Sequence, residues 1–174
     1  MADESHAVAG MKDPRRARAG AARLAAVQTV YQTHAAACDM EDAARIYLDR
    51  FAGMDLDGEA LVPPDRALYA RIVRGVSDRM GDLKALMDGH LSPAAIKDVE
   101  DVQAAAPASR RIDPLLEAIL LCGLHELLAH TETDAPVIIS EYLHVTRAFY
   151  DGRETALVNA VLDAAAKTLR TDSA

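Results

Sequence analysis

The sequence predicts an all-α fold of about seven helices, on three observations. Apolar side chains recur at intervals of three and four in each long segment, and no stretch alternates apolar with polar as a half-buried strand would. Hydrophobic residues make up 51% of the 174-residue chain but aromatics only 4%, a balance rich in alanine that favours helix over sheet. Aspartates also stand where helices need an N-cap, at Asp39, Asp65 and Asp113.

Residues 1–14 are small and polar with no apolar stripe, which predicts a flexible tail. From about Arg15 the pattern turns helical, with Leu24, Val27, Tyr31 and Ala35 on one face. Asp39 caps a short helix carrying Ala44, Tyr47, Leu48 and Phe51, which Gly53 ends. Pro63 and Pro64 stop any helix in the following loop. Asp65 then caps one long helix bearing Tyr69, Ile72, Val73, Val76, Met80, Leu83 and Met87. Gly89, Ser92 and Pro93 mark its end and a new start, with Ile96, Val99 and Val102 as a weak stripe.

Residues 104–111 have the composition of a linker within the domain. After them Asp113 caps, Pro114 takes the first helical position, and apolar residues from Leu115 to Leu128 leave little polar face, as expected of a central helix. The segment from Ala135 to Leu169 predicts two helices joined at Tyr150, Asp151 and Gly152. One carries Ile138, Ile139, Tyr142, Val145 and Phe149, the other Leu157, Val158, Val161, Leu162, Ala165 and Leu169. Packing gives no reason for the polar Ser140, Glu141, Asn159 and Asp163 beside those stripes.

Composition narrows the function classes. The length fits one domain, no apolar run approaches a membrane span, and the first residues lack a signal-peptide core, so a cytoplasmic protein is expected. Cys38 and Cys122 lie outside any CxxC spacing and are expected to be reduced packing residues. The net charge of -8 opposes general attraction to nucleic acid, yet Lys12, Arg15, Arg16, Arg18 and Arg23 face a single acid, Asp13, over that stretch. Cations at a helix N-terminus oppose the helix dipole, so local stability does not account for them. They point to a polyanion partner, with a solubilising basic end as the bland alternative.

No catalytic pattern is complete along the chain. His125 and Glu126 begin a zinc-protease helix, but its second histidine would have to stand at Ala129, and His130 is turned off that face. His34 and Cys38 share a helical face without a second ligand pair, so no metal site is expected. There is no nucleophile elbow, phosphate loop or dinucleotide turn. No catalysis and no cofactor are expected.

Two blocks carry a resemblance to a known family. VIISEY, AFY and LVNAVLD between Val137 and Asp163, together with AARLAAVQTVYQ from Ala21 to Gln32, resemble the signatures of the NusB family of bacterial transcription antitermination factors, particularly its alphaproteobacterial form. The resemblance covers roughly residues 15–170. It implies two small helical bundles packed side by side, an N-terminal one over 15–90 and a C-terminal one over 91–170. It also implies binding to boxA RNA of nascent ribosomal RNA transcripts together with the ribosomal protein NusE, and indirect contact with RNA polymerase and the other Nus factors.

Residue by residue, the resemblance assigns RNA binding to Arg15, Arg16, Arg18, Arg23 and Arg153, and contact with NusE to Tyr31, Leu116, Phe149 and Leu157. The chain also departs from the family pattern. Leu157 replaces an aromatic, Arg153 stands where an acid is common, and Leu121 replaces a common arginine. A diverged protein-interaction module without boxA affinity is therefore the alternative reading. A third, a ribosomal RNA methyltransferase with a NusB-like N-terminal domain, is set aside because the chain leaves no length for a methyl-donor domain. Monomer and homodimer both stay open.

Overall fold

A computed structural model describes residues 13–36, 38–50, 55–56, 59–60, 62–91 and 112–171. These form seven helices: α1 (Pro14–Ala36), α2 (Met40–Arg50), α3 (Arg66–Asp78), α4 (Met80–His90), α5 (Pro114–Ala129), α6 (Ala135–Arg147) and α7 (Gly152–Thr171). A two-residue antiparallel ladder, β1 (Asp55–Leu56) against β2 (Glu59–Ala60), is the departure from an all-helical chain. The expected tail over 1–12, the stripe of Ile96, Val99 and Val102, the linker at 104–111, and Phe51 and Gly53 lie outside the described residues.

The aspartate caps form as their chemistry requires. Asp39, Asp65 and Asp113 each accept hydrogen bonds from backbone N–H groups two and three residues on, at 2.8–3.3 Å. Such a cap is worth roughly 1 kcal/mol. Pro14, expected in the tail, instead opens α1, with Asp13 Oδ1 accepting from the Arg15 N–H at 3.0 Å.

The long helix expected after Asp65 is two helices meeting at Arg79, whose φ of -119° and ψ of 20° leave the helical region. The bend redirects the apolar stripe. Tyr69, Ile72, Val73 and Val76 belong to the part of the core built on α1, α2 and α5, while Leu83 and Met87 on α4 pack toward α5 and α7. A straight helix could not serve both sets of neighbours.

The buried face of α1 lies beside the expected one. Ala22, Ala25, Ala26, Val27 and Val30 are buried, Leu24 is half-buried, and Tyr31 is exposed. Alanines on this face let α3 and α5 approach closely. Tyr69 of α3 reaches Thr29 of α1 with a hydroxyl pair at 2.9 Å and stacks on Tyr47 of α2 at 5.2 Å between ring centroids.

Helix α5 is the centre, with every residue from Ala118 to Leu127 buried. Two close approaches fix its neighbours. A side chain at Gly75 would place its Cβ 1.9 Å from His125, and one at Gly123 would meet Leu162 at 3.0 Å. At the far end, Arg170 of α7 donates to the carbonyls of Leu127, His130 and Thr133 at 3.3, 3.2 and 2.6 Å, tying down the end of α5 and the turn that follows it. Residues of both halves share one continuous core.

Candidate nucleic-acid interface

The first turns of α1 present Arg15, Arg16 and Arg18, all exposed. The fold places Arg15 and Arg16 beside the start of α6. Arg16 Nε donates to Glu141 Oε1 at 3.0 Å, and the Arg18 carbonyl accepts from the Asp65 N–H at 3.0 Å, anchoring the entry to α3 on this end of α1. The Arg16 side chain remains 71% exposed, so its ion pair is weak, within about 1 kcal/mol, and open to competition from phosphate.

Arg23 differs from its neighbours. Its guanidinium makes a fork-shaped pair with Glu126 of α5, Nε to Oε2 at 2.7 Å and Nη2 to Oε1 at 3.0 Å, and lies 3.8 Å from Glu141 Oε2. Its side chain is 7% exposed and that of Glu126 is 0%. His130 Nδ1 stands 3.3 Å from Glu126 Oε1. Burial alone would raise the Glu126 carboxyl, but hydrogen bonds from His130 and Arg23 and the Arg23 charge outweigh it and hold it down to about 2. The Tyr142 hydroxyl adds to this although it makes no hydrogen bond of ordinary geometry, and burial pushes its own ionisation well up. The resemblance gave Arg23 to RNA; in the free chain its charge is engaged inside the fold rather than turned to solvent.

The remaining assigned residues divide in the same way. Tyr31 and Phe149 are exposed, and Phe149 lies past the end of α6 rather than on its buried stripe. Arg153 is exposed in the first turn of α7. Leu116 is 0% exposed and Leu157 4%. Both are core side chains of the free chain, whereas the resemblance gave them to contact with NusE. Leu121 is likewise buried, a site where an arginine would need a buried partner of its own.

Arg15, Arg16 and Arg23 line one groove of about 530 Å³ between α1 and α6, whose other walls are Asp13, Ala19, Pro136, Val137, Ser140 and Glu141. Arg18 is not among its walls. The sequence singled out Ser140 and Glu141 as unexplained by packing but gave them no role, and Val137 gave no polar signal. Their common place in this groove depends on the crossing of two helices more than one hundred residues apart. The other two polar residues flanking the stripes sit on the surface, Asp163 paired with Lys167 at 2.7 Å and Asn159 exposed.

The described residues hold no group of three or more potential metal ligands, and no described helix is long and apolar enough to cross a membrane. His125, weighed above as a zinc ligand, is buried against Gly75. Burial, helped by the charges of His130 and Arg79, lowers its basicity to about 4.

Comparisons with known proteins agree with this architecture. The chain is 33% identical over 172 residues to the transcription antitermination protein NusB of Bradyrhizobium diazoefficiens, covering 99% of this chain and 97% of that one. It is 35% identical over 164 residues to the protein of the same name from Bartonella henselae, covering 94% and 96%. Among solved structures, T. maritima NusB superposes with a TM-score of 0.63 at 19% identity over 90% of this chain and 92% of that one. A NusB described as crystallised with NusE and double-stranded RNA gives 0.66 at 16% identity over 88% and 98%. The sequence model of the NusB family matches residues 20–167, and with relatives above 30% identity over nearly the whole length the chain belongs to the NusB family.

Proposed function

We propose that this chain is a transcription antitermination factor that binds boxA-type RNA of nascent ribosomal transcripts together with NusE, and joins the other Nus factors on RNA polymerase in the bacterial cytoplasm. The observation that carries the reading is the placement of Arg15, Arg16 and Arg18 together on the exposed start of α1 in a chain of net charge -8. Helix electrostatics oppose cations there, and a phosphate backbone supplies what they lack. The names of the relatives support it, as does the fold shared with a NusB crystallised with NusE and RNA. The role is binding and assembly rather than catalysis.

Within this reading Tyr31 and Phe149 are the exposed aromatics offered to NusE, and Arg153 is a further RNA contact. Titration of labelled boxA RNA with the protein, with and without its NusE, tests the proposal. Tighter binding with NusE present is expected, and equal weak binding to boxA and scrambled RNA in both titrations would overturn it. The charge reversal at Arg153 favours a second reading, a diverged interaction module. Under it the same titrations would show NusE binding without RNA binding.

A further inference from the structure

We propose that the groove between α1 and α6 reads one base of the bound RNA, with Glu141 as the acceptor that selects guanine. The inference rests on the RNA-binding reading above and specifies its sequence preference. The groove's volume of about 530 Å³ falls within the ~300–1,000 Å³ typical of small-ligand pockets. Its chemistry is layered: Arg15 and Arg16 at the rim, apolar Pro136 and Val137 on the wall, and the Glu141 carboxylate, one-tenth exposed, on the floor. A carboxylate on the floor repels phosphate, so the RNA backbone belongs at the rim and a base belongs inside. Val137, 47% exposed at the start of α6, offers the face on which a base would lie.

The floor is incompletely satisfied. Arg16 fills a site on Glu141 Oε1, but Oε2 has no hydrogen bond among the described residues and meets Arg23 Nη1 only at 3.8 Å. Arg23 holds Glu126 through Nε and Nη2 and approaches Oε2 with Nη1 only as an ion pair beyond hydrogen-bond reach. The residue of α1 facing Oε2 is Gly20, where an added Cβ would come into van der Waals contact with that oxygen at 3.7 Å, so the missing side chain leaves it clearance. A nearly buried carboxylate with an open oxygen favours a ligand with N–H donors. Guanine presents an imino and an amino donor side by side. Adenine and cytosine set a ring acceptor beside the amino group, and uracil flanks its imino group with two carbonyls, so each brings an acceptor against the carboxylate. Unpaired bases in single-stranded RNA are free to enter such a groove.

The test is a panel of boxA RNAs, each position varied through all four bases, titrated against the wild type and Glu141→Gln with NusE present. In the wild type, replacing guanine by uracil at one position should weaken binding about tenfold or more, as loss of a bidentate base contact does. In Glu141→Gln, whose amide both donates and accepts, that preference should fall to within about twofold while the salt dependence stays the same. Identical base preferences in the two proteins would overturn the proposal. So would uniformly tighter binding of every RNA by Glu141→Gln with a steeper salt dependence, which would make Glu141 a mere competitor for Arg16.

A second measurement needs no variant. Guanosine 5′-monophosphate, but not uridine 5′-monophosphate, should shift the Val137 methyl resonances of the full chain. Equal shifts, or none, would sink the base-reading groove. Shifts with the guanine nucleotide in a protein that binds no boxA RNA would instead sink the functional reading and leave the groove standing.

Discussion

Replacing Arg23 by methionine, which keeps the length of the side chain and removes its charge, should destabilise the protein by about 3–5 kcal/mol, the usual cost of leaving a buried charge without its partner. The ionisation of Glu126 points the same way. Glu126 is fully buried and its ionisation falls from an ordinary 4.5 to about 2. Hydrogen bonds from His130 and Arg23 and the Arg23 charge together lower it, so part of the stability carried by this carboxylate rests on Arg23. Because the folded carboxyl is the stronger acid, this stability is present above about pH 4.5 and is lost as pH falls toward 2. Urea unfolding at pH 7 and at lower pH should therefore show a large gap between Arg23→Met and the wild type that narrows with acid. Adding Glu126→Leu to Arg23→Met should recover most of the loss, since no charge then remains buried alone. A single variant within about 1 kcal/mol of the wild type at pH 7, or a gap independent of pH, would refute the reasoning.

Three further outcomes follow from other sites. Gly75→Ala should cost roughly 1–3 kcal/mol by overpacking, because its Cβ would press on the His125 ring, and adding His125→Ala should relieve part of that cost in thermal melts. The His125 ring should stay neutral in an NMR titration until about pH 4; since burial weakens it as a base, the stability it contributes is present above pH 6.5 and is lost as pH falls toward 4. Arg153→Asp should weaken assembly with NusE and boxA RNA in calorimetry if the arginine contacts phosphate, whereas unchanged titrations would place it outside the interface.

How far the sequence reached can be judged element by element. The caps at Asp39, Asp65 and Asp113 and the paired C-terminal helices were legible because capping and apolar spacing are local effects. The break at Arg79 was not, since the apolar stripe continues through it without proline, and the separate neighbours of α3 and α4 account for the bend. At the site, Arg15, Arg16 and Arg18 stood out by charge. Arg23 looked like one more of them because its partner, Glu126, lies 103 residues away. A signal did exist: Arg23 falls three, four and seven residues before Ala26, Val27 and Val30 on a buried stripe, and Glu126 interrupts the apolar run of α5. A charge inside each of two apolar stripes is the pattern of a buried pair. The same hindsight applies to Leu116 and Leu157, whose places in apolar stripes foretold burial more firmly than the resemblance foretold contact.

The salt dependence of boxA binding tests the central claim most directly. With NusE present, the logarithm of affinity against the logarithm of salt should fall steeply for the wild type, and Arg15→Ala/Arg16→Ala/Arg18→Ala should flatten that slope by about 2, at ~0.7 for each phosphate contact on single-stranded RNA, while the far-ultraviolet dichroism stays helical. An unchanged slope and affinity in the folded triple variant would contradict the account, because the exposed start of α1 would then not be where this protein meets RNA.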